Sequence, residues 1–315
     1  MQSSLKTCSR RFGVELEYNA FDSISRSKDE NDLPSGIYEV GRKIQENLKK
    51  CVEITKWQYT NNNKSWHIKP DSSCGLEVCS PPAIPKIGLA ELQNVVETLS
   101  SIEKLKSDYR CSFHVHVEIA DFTEKQIVNL IRRWINFELF FFFITNPMRW
   151  LNQYCVPIGF SADIKGEQIY HYNSILHKFS ESKYYAVNLY HYAKNKKKTI
   201  EFRIMGSEAC VNSDDAINWC KLLLCFVERC SRHEGLHETT FEYERVEKFL
   251  DFLKLEEWCK EDLEFIQWLI YRLNSVIDIS NLSGYDASNS FWKCLLKHNL
   301  NGLKSCIEKL ESYLV

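Results

Sequence analysis

Four short segments of the chain alternate strictly between apolar and polar residues. This pattern is typical of β-strands that bury one face, so it predicts a sheet with one apolar side. In the first segment, RFGVELEY at residues 11–18, Glu15 and Glu17 fall on the polar face. Two residues along a strand span roughly 7 Å, so these carboxylates repel each other unless water or a cation compensates their charge. The opposite face carries Phe12, Val14, Leu16 and Tyr18.

The other three alternating segments, GLEVC, FHVHV and TIEFRI, also carry acids and bases on their polar sides. These polar residues are Glu77, His114, His116, Glu201 and Arg203. Each one alone would be an ordinary solvated residue, because a sheet with one face packed on helices produces this alternation automatically. As a set they are ligands suited to Mg²⁺ or Mn²⁺, together with a guanidinium suited to phosphate. The sequence therefore predicts a divalent-metal site on the polar face of one sheet.

Two of these features have competing interpretations. His114 and His116 fit zinc ligands of a hydrolase, contacts to phosphate, or plain polar-face residues, and the other histidines form no second zinc motif. Glu201 and Arg203, two apart on one strand, place a metal ligand beside a guanidinium, as in sites that hold a nucleotide's bridged phosphates. A cross-strand ion pair is the structural alternative for this arginine.

Composition limits the classes of protein to which the chain can belong. The 315 residues are 44% hydrophobic and have a net charge of -2, which indicates a globular protein without a basic surface that would attract nucleic acid or a membrane. The 13 cysteines are odd in number and scattered, and several lie in apolar segments such as WCKLLLCFVERC, which favours free thiols in a reducing cytoplasm. We expect a cytoplasmic protein, because no export signal is visible and the apolar run LFFFFI is too short to cross a bilayer.

Helical periodicity predicts the elements between the strands. Helices are expected over IYEVGRKIQENLKKC and LAELQNVVETLSSIEKL, and a long helix should begin at a capping box of Thr123 and Gln126 and end near Asn146 and Pro147. The segments EITKWQYT and SWHIKP flank NNNK and are predicted to form a β-hairpin. From about Asp214 the pattern is helical onwards. These elements predict an α+β fold.

Six segments resemble, in order, the motifs of the amidoligase family. The members of this family are carboxylate–amine ligases of the glutamine synthetase and glutamate–cysteine ligase superfamily. They are FGVELEY, GLEVCSPP, FHVHV, NPMRWLNQYC, YYAVNLY and TIEFRIMGS. The resemblance implies an antiparallel sheet curved into a funnel, packed on helices, whose polar concave face is the active site. It implies an amidoligase-like catalytic domain over residues 1–240, and leaves 241–315 as a C-terminal helical extension.

The resemblance also implies a reaction and a role for each site residue. ATP phosphorylates a small-molecule or peptide carboxylate, and an amine then displaces the phosphate to leave an amide. The implied ligands of Mg²⁺ or Mn²⁺ are Glu15, Glu17, Glu77 and Glu201, with Arg203 and Glu201 as the catalytic residues. The implied nucleotide- or substrate-binding residues are His114, His116, Arg149, Asn152, Tyr154 and Asn188.

Several points stay open at the level of sequence. No second acidic pair follows shortly after Glu77, as it does in the larger synthetases, so the number of metals is undetermined. The acid, the amine and the oligomeric state are equally undetermined. Two rival functions remain: a metal-dependent hydrolase that uses His114 and His116 with Glu77 as base, and a non-catalytic binding module.

Overall fold

The alternating segments predicted as strands form strands in the computed structural model of the chain. The structure describes residues 8–19, 33, 36–55, 64–150, 152–159, 171–232, 246–254, 262–281 and 290–314. The chain divides into two compact units, which we call the sheet unit and the helical unit. The sheet unit comprises Cys8–Glu118 and Ile200–Leu224, and the helical unit comprises Met1–Thr7, Ile119–Thr199 and Cys225–Val315.

Seven strands lie within the described residues. They are β1 (Phe12–Asn19), β2 (Val52–Ile54), β3 (Trp66–Asp71), β4 (Gly75–Cys79), β5 (Ser112–Glu118), β6 (Val187–Asn188) and β7 (Thr199–Gly206). In the sheet unit the strands form an open sheet in the order β2-β3-β4-β1-β5-β7, and the two-residue β6 falls within the range of the helical unit. The pairs β1–β4, β1–β5 and β3–β4 are antiparallel, as expected.

The predicted hairpin between β2 and β3 is wrong. The two strands run parallel, with Val52 opposite Trp66 and Ile54 opposite Ile68. Parallel neighbours cannot be joined by a tight turn and need a longer connection. The connecting residues 56–63, which include the NNNK segment, lie outside the described part of the chain.

Ten helices are found in the described residues, together with a 3₁₀ turn at Pro147–Arg149. They are α1 (Ile37–Leu48), α2 (Pro85–Ser100), α3 (Glu124–Phe143), α4 (Tyr172–Glu181), α5 (Tyr190–Ala193), α6 (Glu208–Val211), α7 (Ser213–Arg232), α8 (Glu247–Leu253), α9 (Leu263–Asn281) and α10 (Ser290–Glu311). The second helix begins and ends earlier than its apolar periodicity predicted. Pro85 suits its first turn, since the missing N–H costs nothing there.

The apolar face of the sheet is the core of the sheet unit. Its residues on β1, β4, β5 and β7 are almost fully buried, and α1 packs on β2 and β3 while α2 packs on β1. Gly88 lets α2 approach β1 closely, because an added Cβ would lie 2.8 Å from Cε1 of Phe12. This packing fixes β1 from one side, so its Glu15 and Glu17 must point to the other face.

The helical unit is built around α3. This helix begins at the predicted capping box of Thr123 and Gln126 and ends at Phe143, three residues before Asn146. Its LFFFFI segment is buried, which explains the apolar run as core.

A carboxylate is also fully buried in the helical unit. Glu138, on α3, accepts hydrogen bonds from Nε1 of Trp134 at 2.9 Å and from the backbone N–H groups of Ile158 and Gly159 at 2.7 and 2.8 Å. These donors compensate part of the cost of burying the group.

The mixed α+β class is confirmed. The domain boundary predicted at 240 falls within residues 233–245, outside the described part, and stays a prediction. Every cysteine in the described residues is a free thiol, as expected. No helix within the described ranges is both long and apolar enough to cross a bilayer.

Candidate functional site

The strand register of the sheet unit brings the predicted polar residues side by side. Glu17 on β1 lies opposite Glu77 on β4, and Glu15 lies opposite His114 on β5. On the other side of β4, Glu77 faces Lys69 of β3. Residues directly opposite each other in an antiparallel pair have Cβ atoms only about 5 Å apart. The acids of separate segments therefore meet at one place, as the alternation predicted.

These side chains are buried rather than solvated. Glu17, Glu77, His114, His116 and Glu201 are each less than a tenth exposed. On an ordinary polar face the carboxylates would be hydrated, and their ionised form would carry no desolvation free energy. Burial of several charges costs free energy unless each one is paired or bound to a cation.

Glu17 is held by Ser112 at the start of β5. Its Oε2 accepts hydrogen bonds from the Ser112 backbone N–H at 2.8 Å and from Ser112 Oγ at 2.6 Å. The same hydroxyl lies 2.9 Å from Nε2 of His114, whose Nδ1 is 3.2 Å from Oε2 of Glu15. A continuous chain of polar contacts therefore links the two glutamates of β1 through β5.

Glu15 and Glu201 contact the basic groups of the site. Nε2 of His116 lies 3.0 Å from Oε1 of Glu15. Arg203 Nη1 donates to Oε1 of Glu201 at 2.5 Å, on the same strand. The sequence offered a phosphate contact or a cross-strand ion pair for this arginine. The contact observed is a pair within one strand, which fixes the direction of the guanidinium.

Glu77 has two partners that the sequence analysis did not identify. Its Oε1 is 2.7 Å from Nζ of Lys69 and accepts a hydrogen bond from Sγ of Cys79 at 2.8 Å. Lys69 belongs to the alternating segment WHIKPD, where it shares a face with His67 and Asp71. The alternation could have marked it as a site residue, but the register that pairs it with Glu77 is a tertiary feature.

Burial raises the pKa of two of the carboxyl groups. It raises the pKa of Glu17 to about 8, although the Ser112 hydrogen bond acts in the opposite direction. Burial, and next the charge of Glu15, raise the pKa of Glu77 above its ordinary value. Without a cation, Glu17 therefore retains a proton at pH 7 that a nearby divalent metal would displace.

The pKa values of the groups around Arg203 shift so that Glu201 is ionised and the imidazole of His114 is neutral. Burial opposes ionisation of Glu201, but attraction to Arg203 and then to His116 outweighs it and lowers the pKa of Glu201 to about 2. Burial, and next the charge of Arg203, lower the pKa of His114 to about 4. At pH 7 the site thus holds an ion pair beside a neutral histidine.

Two groups of side chains in the described residues place three metal-ligating atoms within 4.8 Å of one another. The first is Glu15, His116 and Glu201, and the second is Glu15, Glu77 and Cys79. Two carboxylates and one imidazole are a donor set that suits a divalent cation. The residues present therefore fit the predicted metal, with Glu15 common to both groups. Glu17, also predicted as a ligand, is in neither group.

Four predicted binding residues belong to the helical unit. Asn152 accepts from the backbone N–H of Tyr154 at 2.8 Å, and the Tyr154 ring packs edge-on against Tyr184. The buried Asn188 donates to Lys183 O at 3.1 Å and accepts from the N–H of Tyr190. Both asparagines thus stabilise local turns.

The fourth, Arg149, is buried in the 3₁₀ turn. For all four, a part in nucleotide or substrate binding stays a prediction.

Comparison with known proteins identifies the family of the chain through its sequence profile. The sequence profile of the family described as "Putative amidoligase enzyme" matches residues 8–227. No curated protein matches the chain. Among solved structures, the chain is similar to a bifunctional glutathione synthetase from Pasteurella multocida, with 10% identity, a TM-score of 0.39 and coverage of 97% of this chain and 52% of that one. The chain spans about half the length of that protein, and a similarity this distant carries no argument about activity.

Proposed function

Because the chain belongs to the amidoligase family, we propose that it is an ATP- and Mg²⁺-dependent carboxylate–amine ligase. In the proposed reaction, the terminal phosphoryl group of ATP passes to a substrate carboxylate, and an amine then displaces phosphate to form an amide. The family description supports a ligase at the coarse level. The nucleotide, the metal and the acyl phosphate route are our proposal, as is Mn²⁺ as a substitute for Mg²⁺.

The observation that carries this proposal is the convergence of buried acids on Glu15. This carboxylate belongs to both three-residue groups, whose ligand atoms lie within 4.8 Å of one another. Such a cluster is unfavourable while metal-free, because burial and then the charge of Glu15 raise the pKa of Glu77. Divalent cations bound there would neutralise the bridged phosphates of ATP and the charge that moves during transfer.

The chain's own residues supply the remaining requirements of phosphoryl transfer. Glu201 orients Arg203, whose planar guanidinium can meet two phosphoryl oxygens at once. Ser112 holds the Glu17 carboxylate from two donors, and Lys69 holds Glu77. We propose that these contacts keep the acidic face in a fixed arrangement before nucleotide binds, which reduces reorganisation during the reaction.

The geometry argues against the hydrolase alternative in its original form. That alternative required His114 and His116 to bind one metal together. Of the two histidines, only His116 belongs to one of the metal-ligating groups. Nε2 of His114 contacts Ser112 instead, and its Nδ1 contacts Glu15. The pair therefore divides into a candidate ligand and an internal polar contact, and a dedicated His-x-His zinc site loses its support.

An assay of ADP formation tests the proposal. Purified protein is incubated with ATP and Mg²⁺ against pooled carboxylic acids and amines, and the products are examined by mass spectrometry. We expect metal-dependent ADP release and a product lighter by one water than the sum of an acid and an amine. Glu77→Gln should abolish both signals, whereas Glu103→Gln, which changes an exposed glutamate, should leave both unchanged.

Nucleotide binding provides the independent control. Calorimetry should detect ATP binding with Mg²⁺ or Mn²⁺ and lose it in chelator. Equal binding in chelator, or the absence of binding under all conditions, would contradict the ligase. It would leave the non-catalytic binding module as the better explanation of the polar face.

A further inference from the structure

A cysteine lies inside the acidic cluster, where phosphoryl transfer has no evident use for one. Sγ of Cys79, one oxygen of Glu15 and one oxygen of Glu77 lie within 4.8 Å of one another. Mg²⁺ prefers oxygen ligands, whereas thiolate sulfur favours Zn²⁺ and other soft cations. The sulfur is therefore what distinguishes this second group from the first, Glu15–His116–Glu201, whose ligand atoms are carboxylate oxygens and an imidazole nitrogen.

The position of Cys79 on its strand is unlike that of a cysteine used to fill a core. Leu76 and Val78 are the apolar residues of β4, and Cys79 alternates with Val78 to share the polar face with Glu77. Its Cα is opposite that of Glu15 in the register with β1. The thiol already contacts Glu77, at 2.8 Å. Strand register thus places Glu15 beside the sulfur, and alternation within β4 places Glu77 on the same face.

We propose that Glu15, Glu77 and Cys79 form a thiophilic metal site that binds Zn²⁺, and that its occupation inhibits the ligase. On binding, the Cys79 thiol releases its proton to solvent and the sulfur donates an electron pair to the metal. Glu15 and Glu77 become ligands of Zn²⁺ and are withdrawn from Mg²⁺ and nucleotide. The inhibitory part rests on the proposed function, whereas the binding part does not.

Cobalt provides a direct probe of the sulfur ligand, because Co²⁺ occupies zinc sites and gives a thiolate-to-metal charge-transfer band in the near ultraviolet. Wild-type protein titrated with Co²⁺ should develop this band, and added Zn²⁺ should remove it. Cys79→Ser and Cys79→Ala should lack the band and bind Zn²⁺ at least tenfold more weakly in competition with a chromophoric chelator. Cys74→Ser is the matched control, since Cys74 directly precedes the same strand but belongs to neither metal-ligating group.

The outcomes separate this site from the proposed function. A band that survives both Cys79 variants, that disappears in Cys74→Ser, or that never forms in wild-type protein would overturn the zinc site. Melts in metal-free buffer verify that each variant is folded. Zinc binding through Cys79 without any ATP turnover would refute the ligase and leave the site standing. Where turnover is present, equal Zn²⁺ inhibition of wild type and Cys79→Ser would overturn the inhibitory role, and a tenfold weaker inhibition of the variant would support it.

Discussion

Metal binding at the acidic face should be coupled to loss of a proton, and Glu17 makes the effect measurable. Burial raises the pKa of this carboxyl from 4.5 to about 8, so below pH 8 it is protonated in the metal-free protein. A divalent cation at Glu77, which is opposite Glu17 in register, favours the ionised form. Each pH unit below 8 then costs about 1.4 kcal/mol of binding free energy. The affinity for Mg²⁺ or Mn²⁺ should rise about fiftyfold between pH 6 and 8 and level off above pH 8.

Isothermal titration calorimetry checks this expectation directly. Titrations of Mn²⁺ in buffers with different ionisation enthalpies count the protons released, and we expect about one at pH 7. Ser112→Ala removes the hydrogen bonds from the Ser112 hydroxyl and should move the inflection to higher pH, because the Ser112 side chain lowers the pKa of Glu17. Glu17→Gln should flatten the pH dependence, and Glu103→Gln should not. An affinity of the wild-type protein that is constant from pH 6 to 8 would refute the coupling and the placement of Glu17 beside the cation.

Three further predictions follow from the buried charges. Arg203→Lys should lower kcat by roughly two to four orders of magnitude in steady-state assays, with little change in ATP affinity, because Lys lacks the planar donor pair. Near-wild-type turnover of this variant would remove Arg203 from the mechanism. Glu201→Ala should destabilise the fold by about 3–5 kcal/mol in urea denaturation, since it removes the buried carboxylate that pairs with Arg203, and an unchanged midpoint would contradict this. Burial raises the pKa of Glu138 to about 7, so its stabilising contribution is full below pH 4.5 and is lost as pH rises through 7. That difference is about 3 kcal/mol, and in pH-resolved melts Glu138→Gln should lack this decline.

Period-two alternation predicted which of the candidate residues share the polar side of each strand, because it states which side chains share a face. It correctly grouped Glu15 with Glu17, and Glu201 with Arg203, before any strand pairing was known. What it does not contain is strand direction. The segment NNNK has the composition of a turn, yet β2 and β3 run parallel and α1 contacts both strands.

The environment of the polar face was equally beyond the sequence. Alternation distinguishes two faces but does not say whether water reaches the second one. Three of its acids, Glu17, Glu77 and Glu201, are buried. The partners of Glu77 illustrate the same limit. Lys69 lies on the polar face of β3 and Cys79 on that of β4. Only the register between these two strands places Lys69 against Glu77.

In the proposed scheme, the two cations compete for Glu15. It is opposite His114 on one side and Cys79 on the other, because β1 lies between β5 and β4 in the sheet. One of its oxygens lies 3.0 Å from His116, and the residue also joins the sulfur-containing group. Its carboxylate has only two oxygens to share, so a cation bound with Glu77 and Cys79 alters the ligand set offered together with His116 and Glu201. In this scheme, a central strand with acids on its polar face couples the two candidate sites through one shared ligand.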